Sequence, residues 1–227
     1  MVMVGRLKIA AAVAVGFLVS ASAGCLIPPP EEPGSLEDVE IREYEGEKLS
    51  SIKDFRENSI AGPQYVSPDP EIYTLLVHGL VEEEKTYTYD EVLQGFDSYE
   101  KVVTLDCVEG WSVKLLWEGL LVRDILDTAG VRPEALIAIF RAVDNYSTSF
   151  PVEYFYDNDI LLAHTMNRVV LPPERGFPFQ LVAESKWGYK WIKWVSEIEL
   201  SDDENYEGYW EKRGYSNIGE TDKSMFD

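Results

Sequence analysis

From Glu71 onward, apolar runs of strand length alternate with short helical stretches, and no regular strand–helix–strand rhythm develops. This irregular mixing argues against a doubly wound parallel sheet and predicts an α+β fold built on a mixed sheet. Ile72–Val77, Lys101–Leu105, Trp111–Trp117, Leu136–Val143 and Phe177–Ala183 read as strands. In Trp191–Leu200, Ile192, Trp194, Ser196, Ile198 and Leu200 fall on one face. Lys193, Glu197 and Glu199 fall on the other, as in a half-exposed strand. Thr88-Tyr89-Asp90-Glu91 fits a capping box opening a short helix that Gly95 ends. Leu121–Thr128 is an amphipathic helix with Gly130 after it, and Ile160–Met166 reads as a third short helix. Residues 71–200 are expected to form the domain. The acidic, aromatic segment 201–227 is expected to pack over it as an arm whose last residues fray.

What precedes the domain reads as an address and a spacer. Residues 1–24 contain Arg6 and Lys8, no acid, a short apolar run from Ile9 to Val19, and small residues leading to Gly24-Cys25. This is the pattern of an export signal, and the apolar run is short for a membrane span. Small residues ending in Gly-Cys resemble the lipobox of prokaryotic lipoproteins, with Ser22 where Leu is usual. Cys25 is thus the expected lipidation site, placing the protein outside the cytoplasm on a membrane anchor. Residues 25–70, rich in proline and then in acids from Glu37 to Glu47, are expected to form a solvated tether.

Charge and motif content exclude several functions. A net charge of -21 opposes binding to nucleic acid or to an anionic bilayer surface and fits a cationic partner or simple solubility in a salty medium. No zinc-protease, haem-attachment, nucleophile-elbow or nucleotide-binding pattern occurs. His78 and His164 lack metal-ligand spacing, and His164 in its apolar stretch reads as structural. Asp157-Asn158-Asp159 lacks the glycine and remaining ligands of a calcium loop.

Two features remain. Cys107 stands where a strand runs into a glycine-containing turn, a place that can project a soft thiolate into a cleft. Local chemistry by itself favours a small buried thiol that only packs. Lys186-Trp187-Gly188-Tyr189-Lys190, continuing to Lys193-Trp194, sets three lysines among aromatics in an otherwise acidic chain. That suits a phosphate-bearing ligand, or else a basic edge strand that resists aggregation.

Together these segments resemble a known family. Asp106-Cys107-Val108-Glu109-Gly110-Trp111-Ser112 is similar to the cysteine-ligand motif of the molybdopterin-binding oxidoreductases, which include sulfite oxidase. Gly176-Phe177-Pro178-Phe179-Gln180-Leu181-Val182, followed by Lys186–Lys190, is similar to that family's pterin-binding segment. Leu171-Pro172-Pro173 and Gly208-Tyr209-Trp210-Glu211 sit where members carry similar runs. The resemblance implies a sulfite-oxidase-type mixed-sheet domain holding molybdenum–molybdopterin, with Cys107 as metal ligand. It implies Arg175, Lys186, Gly188, Tyr189 and Lys190 as cofactor-binding residues. The implied reaction moves an oxygen atom to or from a small substrate, with electrons exchanged through an external carrier, a cytochrome or membrane quinone protein. A surface lipoprotein that binds a pterin or other ligand without turnover stands as the alternative. Many members have His where this chain has Asp106, and a basic residue where it has Gln180.

Overall fold

The computed structural model describes residues 39–56, 58–60 and 68–227, all within one compact unit, Gly34–Asp227. The expected signal peptide, its cleavage region and Cys25 lie outside the described residues. In chain order the strands are β1 (Glu43–Tyr44), β2 (Glu47–Lys48), β3 (Thr74–Gly79), β4 (Lys85–Thr88), β5 (Ser98–Asp106) and β6 (Ser112–Leu121). They continue with β7 (Ile137–Ala142), β8 (Ser147–Pro151), β9 (Leu161–Met166), β10 (Val169–Val170), β11 (Gln180–Val182) and β12 (Val195–Ser201). The helices are α1 (Tyr89–Gly95), α2 (Val122–Ala129) and α3 (Glu153–Asp157).

The strands form two five-stranded sheets and one small hairpin, β1–β2. One sheet runs β10-β9-β6-β5, with β11 also paired to β9. The other runs β4-β3-β12-β7-β8. There β12 is parallel to β3 and antiparallel to β7, which is the mixed sheet the sequence predicts. Local signals behave as their chemistry demands. The Thr88 and Glu91 side chains cap each other's backbone N–H groups at the start of α1. Gly130 ends α2 in the left-handed conformation, φ 69°, with its N–H donated to the Leu126 and Asp127 carbonyls.

Three expectations are corrected. Ile160–Met166 is not a helix: Leu161–Met166 is β9, the central strand of its sheet, paired to β6 on one side and to β10 and β11 on the other. Both its faces are covered, so it carries a nearly unbroken apolar run whose period does not separate strand from helix. The strand expected over Trp191–Leu200 begins only at Val195; Trp194 stands at φ 55°, outside the extended region.

The solvated spacer, finally, does not extend over residues 39–56. Glu40, Leu49 and Ile52 are buried, although Glu43, Glu45 and Glu47 are exposed as expected. Glu40 Oε1 accepts from Ile52 N and Asn167 Nδ2, each at 2.8 Å, and its Oε2 accepts from Ser51 Oγ at 2.9 Å. A buried carboxylate is tolerated because its lone pairs are matched in this way. The packed body therefore starts well before Glu71.

The C-terminal segment lies on the domain. Tyr209 N donates to Ser147 O at 2.9 Å, and Ser216 N donates to Met225 O at 2.8 Å. The end of the chain is thus turned back, with the Phe226 ring 5.1 Å from that of Tyr215.

Candidate active site

Cys107 follows the last residue of β5. Alternation along the strand turns Leu105 and Cys107 toward a cavity of about 560 Å³, while the Asp106 carboxylate accepts from the Ser112 hydroxyl outside that lining. The turn after Cys107 is tight: Cys107 N donates to Trp111 O at 2.9 Å and Gly110 N to Cys107 O at 3.0 Å. Gly110 takes φ 86°, a conformation that glycine adopts without strain. Cys107 is 7% exposed. Burial pushes its thiol pKa up, and hydrogen bonds from the Glu109 backbone N–H and from Asn58 Nδ2, at 3.9 Å, act in the opposite sense. Glu109 itself lines the cavity; hydrogen bonds from Trp111 and Asn58, with Arg56 nearby, hold its carboxyl below the usual range.

The second sequence motif meets the first here. Trp187 bridges to Asp106 in parallel, bringing the Gly188–Lys190 turn against the end of β5. A Cβ on Gly188 would stand 3.2 Å from the Asp106 carbonyl oxygen and 3.4 Å from the Cys107 Cα, so glycine lets the two segments touch. Gly188, Tyr189 and Arg175 share the cavity lining with Cys107. The Tyr189 hydroxyl points elsewhere, donating to Ser216 O at 2.6 Å.

Lys186 and Lys190 do not reach the cavity lining, contrary to the expectation for them. The Lys190 amine is wholly buried and donates to Ser149 O at 2.7 Å, Glu211 Oε1 at 2.8 Å and Asn217 O at 2.9 Å. Three donors meet three acceptors, which leaves none for a ligand. Burial lowers its pKa, and Glu211 opposes that shift. Lys186 lies 3.7 Å from Glu220 and 5.1 Å above the Tyr154 ring.

The cations on the cavity are instead Arg56, Arg175 and Lys193. Arg175 donates to Phe55 O at 2.9 Å and lies 3.9 Å from the centre of that ring. Lys193 donates to Glu174 O at 3.1 Å and sits over the Trp194 ring. Lys193 belongs to the basic run noted in the sequence, but strict strand alternation assigns it an outward face, and the break before Val195 undoes that. Phe55, Arg56 and Asn58 come from the stretch assigned to the tether, and Tyr209, Trp210 and Tyr215 from the C-terminal arm. No local pattern ties either segment to Cys107.

Elsewhere, His78, Glu197 and Glu199 offer ligand atoms within 4.8 Å of one another. Arg141 pairs with both carboxylates and donates to Tyr206, so the group is an ion-paired network on the second sheet. His164 contacts Ser98 Oγ at 3.4 Å and lies outside the cavity lining.

The family model described as "Oxidoreductase molybdopterin binding domain" matches residues 62–210. The chain is similar to an uncharacterized oxidoreductase, YuiH, of Bacillus subtilis, at 34% identity over 149 residues, covering 65% of this chain and 74% of that one. It is 31% identical over 152 residues to a putative protein-methionine-sulfoxide reductase subunit, YedZ1, of Azospira oryzae, covering 66% of this chain and 57% of the relative. The human mitochondrial sulfite oxidase matches at 28% over 177 residues, or 65% of this chain, which corresponds to only 32% of that longer protein. Among solved structures, the sulfane dehydrogenase SoxCD of Paracoccus pantotrophus shares the fold at TM-score 0.61 and 19% identity, covering 88% of this chain and 59% of that one.

The cavity suits the cofactor these matches imply. It offers a soft sulfur ligand, cations suited to a phosphate, and a volume inside the roughly 300–1,000 Å³ usual for such ligands. The chain belongs to the molybdopterin-binding oxidoreductases, and its cofactor is molybdenum–molybdopterin.

Proposed function

We propose that this protein catalyses oxygen-atom transfer to or from a small substrate at molybdenum held by the Cys107 thiolate. The observation that carries this reading is the Cys107 sulfur facing a cavity it shares with Arg56, Arg175 and Lys193. When bound, the cofactor supplies two-electron redox chemistry at its metal. The chain's part is to bind and orient. Cys107 ligates, with its sulfur steadied by the Asn58 amide and the Glu109 backbone N–H. Arg175 and Lys193, with Arg56, would receive the pterin's phosphate. Gly188 and the Tyr189 ring would form the adjoining wall, held against the end of β5 because Gly188 has no side chain. Lys186 and Lys190 act from behind that wall by fixing the turn that carries it.

We further infer an extracytoplasmic protein, lipidated at Cys25 and held on residues 26–38 as a tether, that exchanges electrons with an external carrier such as a cytochrome or a membrane quinone protein. The leader composition and the Gly24-Cys25 junction support this.

Protein made in a molybdopterin-competent host should contain molybdenum in near-stoichiometric amount by elemental analysis. Cys107→Ser should fold normally and lose molybdenum-dependent turnover by about a hundredfold or more. Undiminished turnover in that variant would overturn the ligand assignment. Cys25→Ser should move the protein from the membrane fraction to the soluble one.

A further inference from the structure

We propose that Glu40 is a positioning residue for the Cys107 site: from outside the cavity lining, its buried carboxylate fixes the wall that meets the sulfur. The proposal rests on the reading of Cys107 as the metal ligand.

The N-terminal segment reaches the sulfur through Asn58 Nδ2, at 3.9 Å. Phe55 belongs to the same wall, its ring 5.6 Å from that of Trp111 and its carbonyl accepting from Arg175. Asn58 is exposed and Phe55 half-buried, so burial at that end holds the segment weakly. The firm hold lies upstream. Ser51 N donates to Asp54 Oδ2 at 2.7 Å and Asp54 N to Ser51 O at 2.9 Å, closing a turn directly before Phe55. The turn is rooted at Ser51 and Ile52, both buried, where Ser51 Oγ and Ile52 N donate to the two oxygens of Glu40.

Glu40 is in turn bolted to the sheet that carries Cys107. Among the described residues, β6 pairs with β9 only from Trp117 to Leu121. Before that point its edge away from β5 is closed by two single residues. Ser50 N donates to Lys114 O at 2.8 Å, and Ser50 Oγ accepts from Lys114 N at 3.1 Å. Asn167 N donates to Leu116 O at 2.7 Å, and its Oδ1 accepts from Leu116 N at 3.0 Å. Asn167 Nδ2 then donates to Glu40 Oε1 at 2.8 Å and to Ser50 O at 2.9 Å, joining both closures to the carboxylate. This part of β6 pairs residue by residue with the end of β5, down to Asp106 opposite Ser112, one position before Cys107. The strand that carries the sulfur and the segment that covers it therefore share one buried anchor. Three donors converge on it, which suits an acceptor-only carboxylate; an apolar side chain there would strand all three.

The test uses the full-length chain. Without cofactor, N-ethylmaleimide labelling of Cys107, read by mass spectrometry of its peptide, reports how well the sulfur is covered. Glu40→Leu should raise the labelling rate about tenfold or more, because the stranded donors favour local opening. Glu40→Gln should stay within about threefold of wild type, since its amide oxygen still serves Ile52 and Asn167 while its NH2 turns to Ser51 Oγ. A core truncation in α2, Ile125→Val or Ile125→Ala, is chosen to match the melting-temperature loss of Glu40→Leu. It should leave the rate within about twofold of wild type. In the holoenzyme, Glu40→Leu should lose molybdenum on dialysis about tenfold faster and change the Mo(V) electron paramagnetic resonance spectrum, and the α2 variant should do neither.

An unmoved labelling rate in folded Glu40→Leu, an equal rise in the α2 variant, or Gln behaving like Leu would each overturn the proposal. If Glu40→Leu does not fold, Ser51→Ala, which removes one donor, should raise the rate about threefold, and no rise there would overturn it equally. Labelling needs no molybdenum. Absence of molybdenum from the wild-type holoenzyme, or full turnover in Cys107→Ser, would instead overturn the ligand reading, with labelling still reporting what Glu40 positions.

Discussion

Lys190 carries its charge into the interior, and its three hydrogen bonds all end on segments distant in sequence. Its partner Glu211 uses Oε1 twice, for Lys190 and for Thr148, while Oε2 is buried without a hydrogen-bond partner among the described residues. Such a pair contributes little net stability while intact but is expensive to break from one side. Lys190→Met should destabilise the fold by about 3–5 kcal/mol in urea unfolding, and removing the acid as well, in Lys190→Met/Glu211→Leu, should recover part of that. His164 gives a pH-dependent counterpart. Burial lowers its pKa below 6.5, with Glu118 acting the other way. The folded state then binds fewer protons than the unfolded state between the lowered value and 6.5. Stability contributed by the neutral imidazole is therefore full above that window and is lost as pH falls through it. His164→Gln should flatten this part of the curve of unfolding free energy against pH.

At the level of elements, what could be read in advance was what is encoded locally. The Thr88–Glu91 cap, the glycine after α2 and the strand running into Cys107 are each set by residues within a few positions of one another. The Cys107 and Gly188 motifs both carry signals of this kind, and both line the cavity. What escaped is non-local. Lys190 reads as a ligand residue until Glu211 and Ser149 are seen around it, and β9 reads as a helix until strands cover both its sides. The acidic stretch near Glu40 reads as a spacer because its buried acid is matched by Asn167, far along the chain. The β6–β9 pairing has a further demand that sequence does not advertise. Its register shifts between Glu118 and Gly119, and a Cβ on Gly119 would stand 2.3 Å from the Leu162 carbonyl oxygen and 2.5 Å from the Ala163 Cα. Both obstacles are backbone, so Gly119→Ala should cost about 2 kcal/mol or more in chemical denaturation. Gly95→Ala, at the end of α1 with open space around it, should change stability by less than about 1 kcal/mol.

For the molecule as a whole, the cavity is a joint product of segments from nearly its full described length: Phe55 and Asn58 early, Cys107 and Gly188 between, Tyr209 to Tyr215 late. Ending the chain after Glu207 would remove three aromatic wall residues and leave the Lys190 charge without Glu211. Such a truncation should lower the melting temperature and abolish molybdenum retention, measured by thermal unfolding and elemental analysis. The anchoring of Tyr209 and Glu211 on β8 and Lys190 has a temporal meaning too. Every strand of both sheets ends by Ser201, so both sheets can pair without residues 208–219. Only when residues 208–219 dock does the pocket close around a cofactor, so loading waits on that segment, and a copy lacking it has nowhere to hold the cofactor.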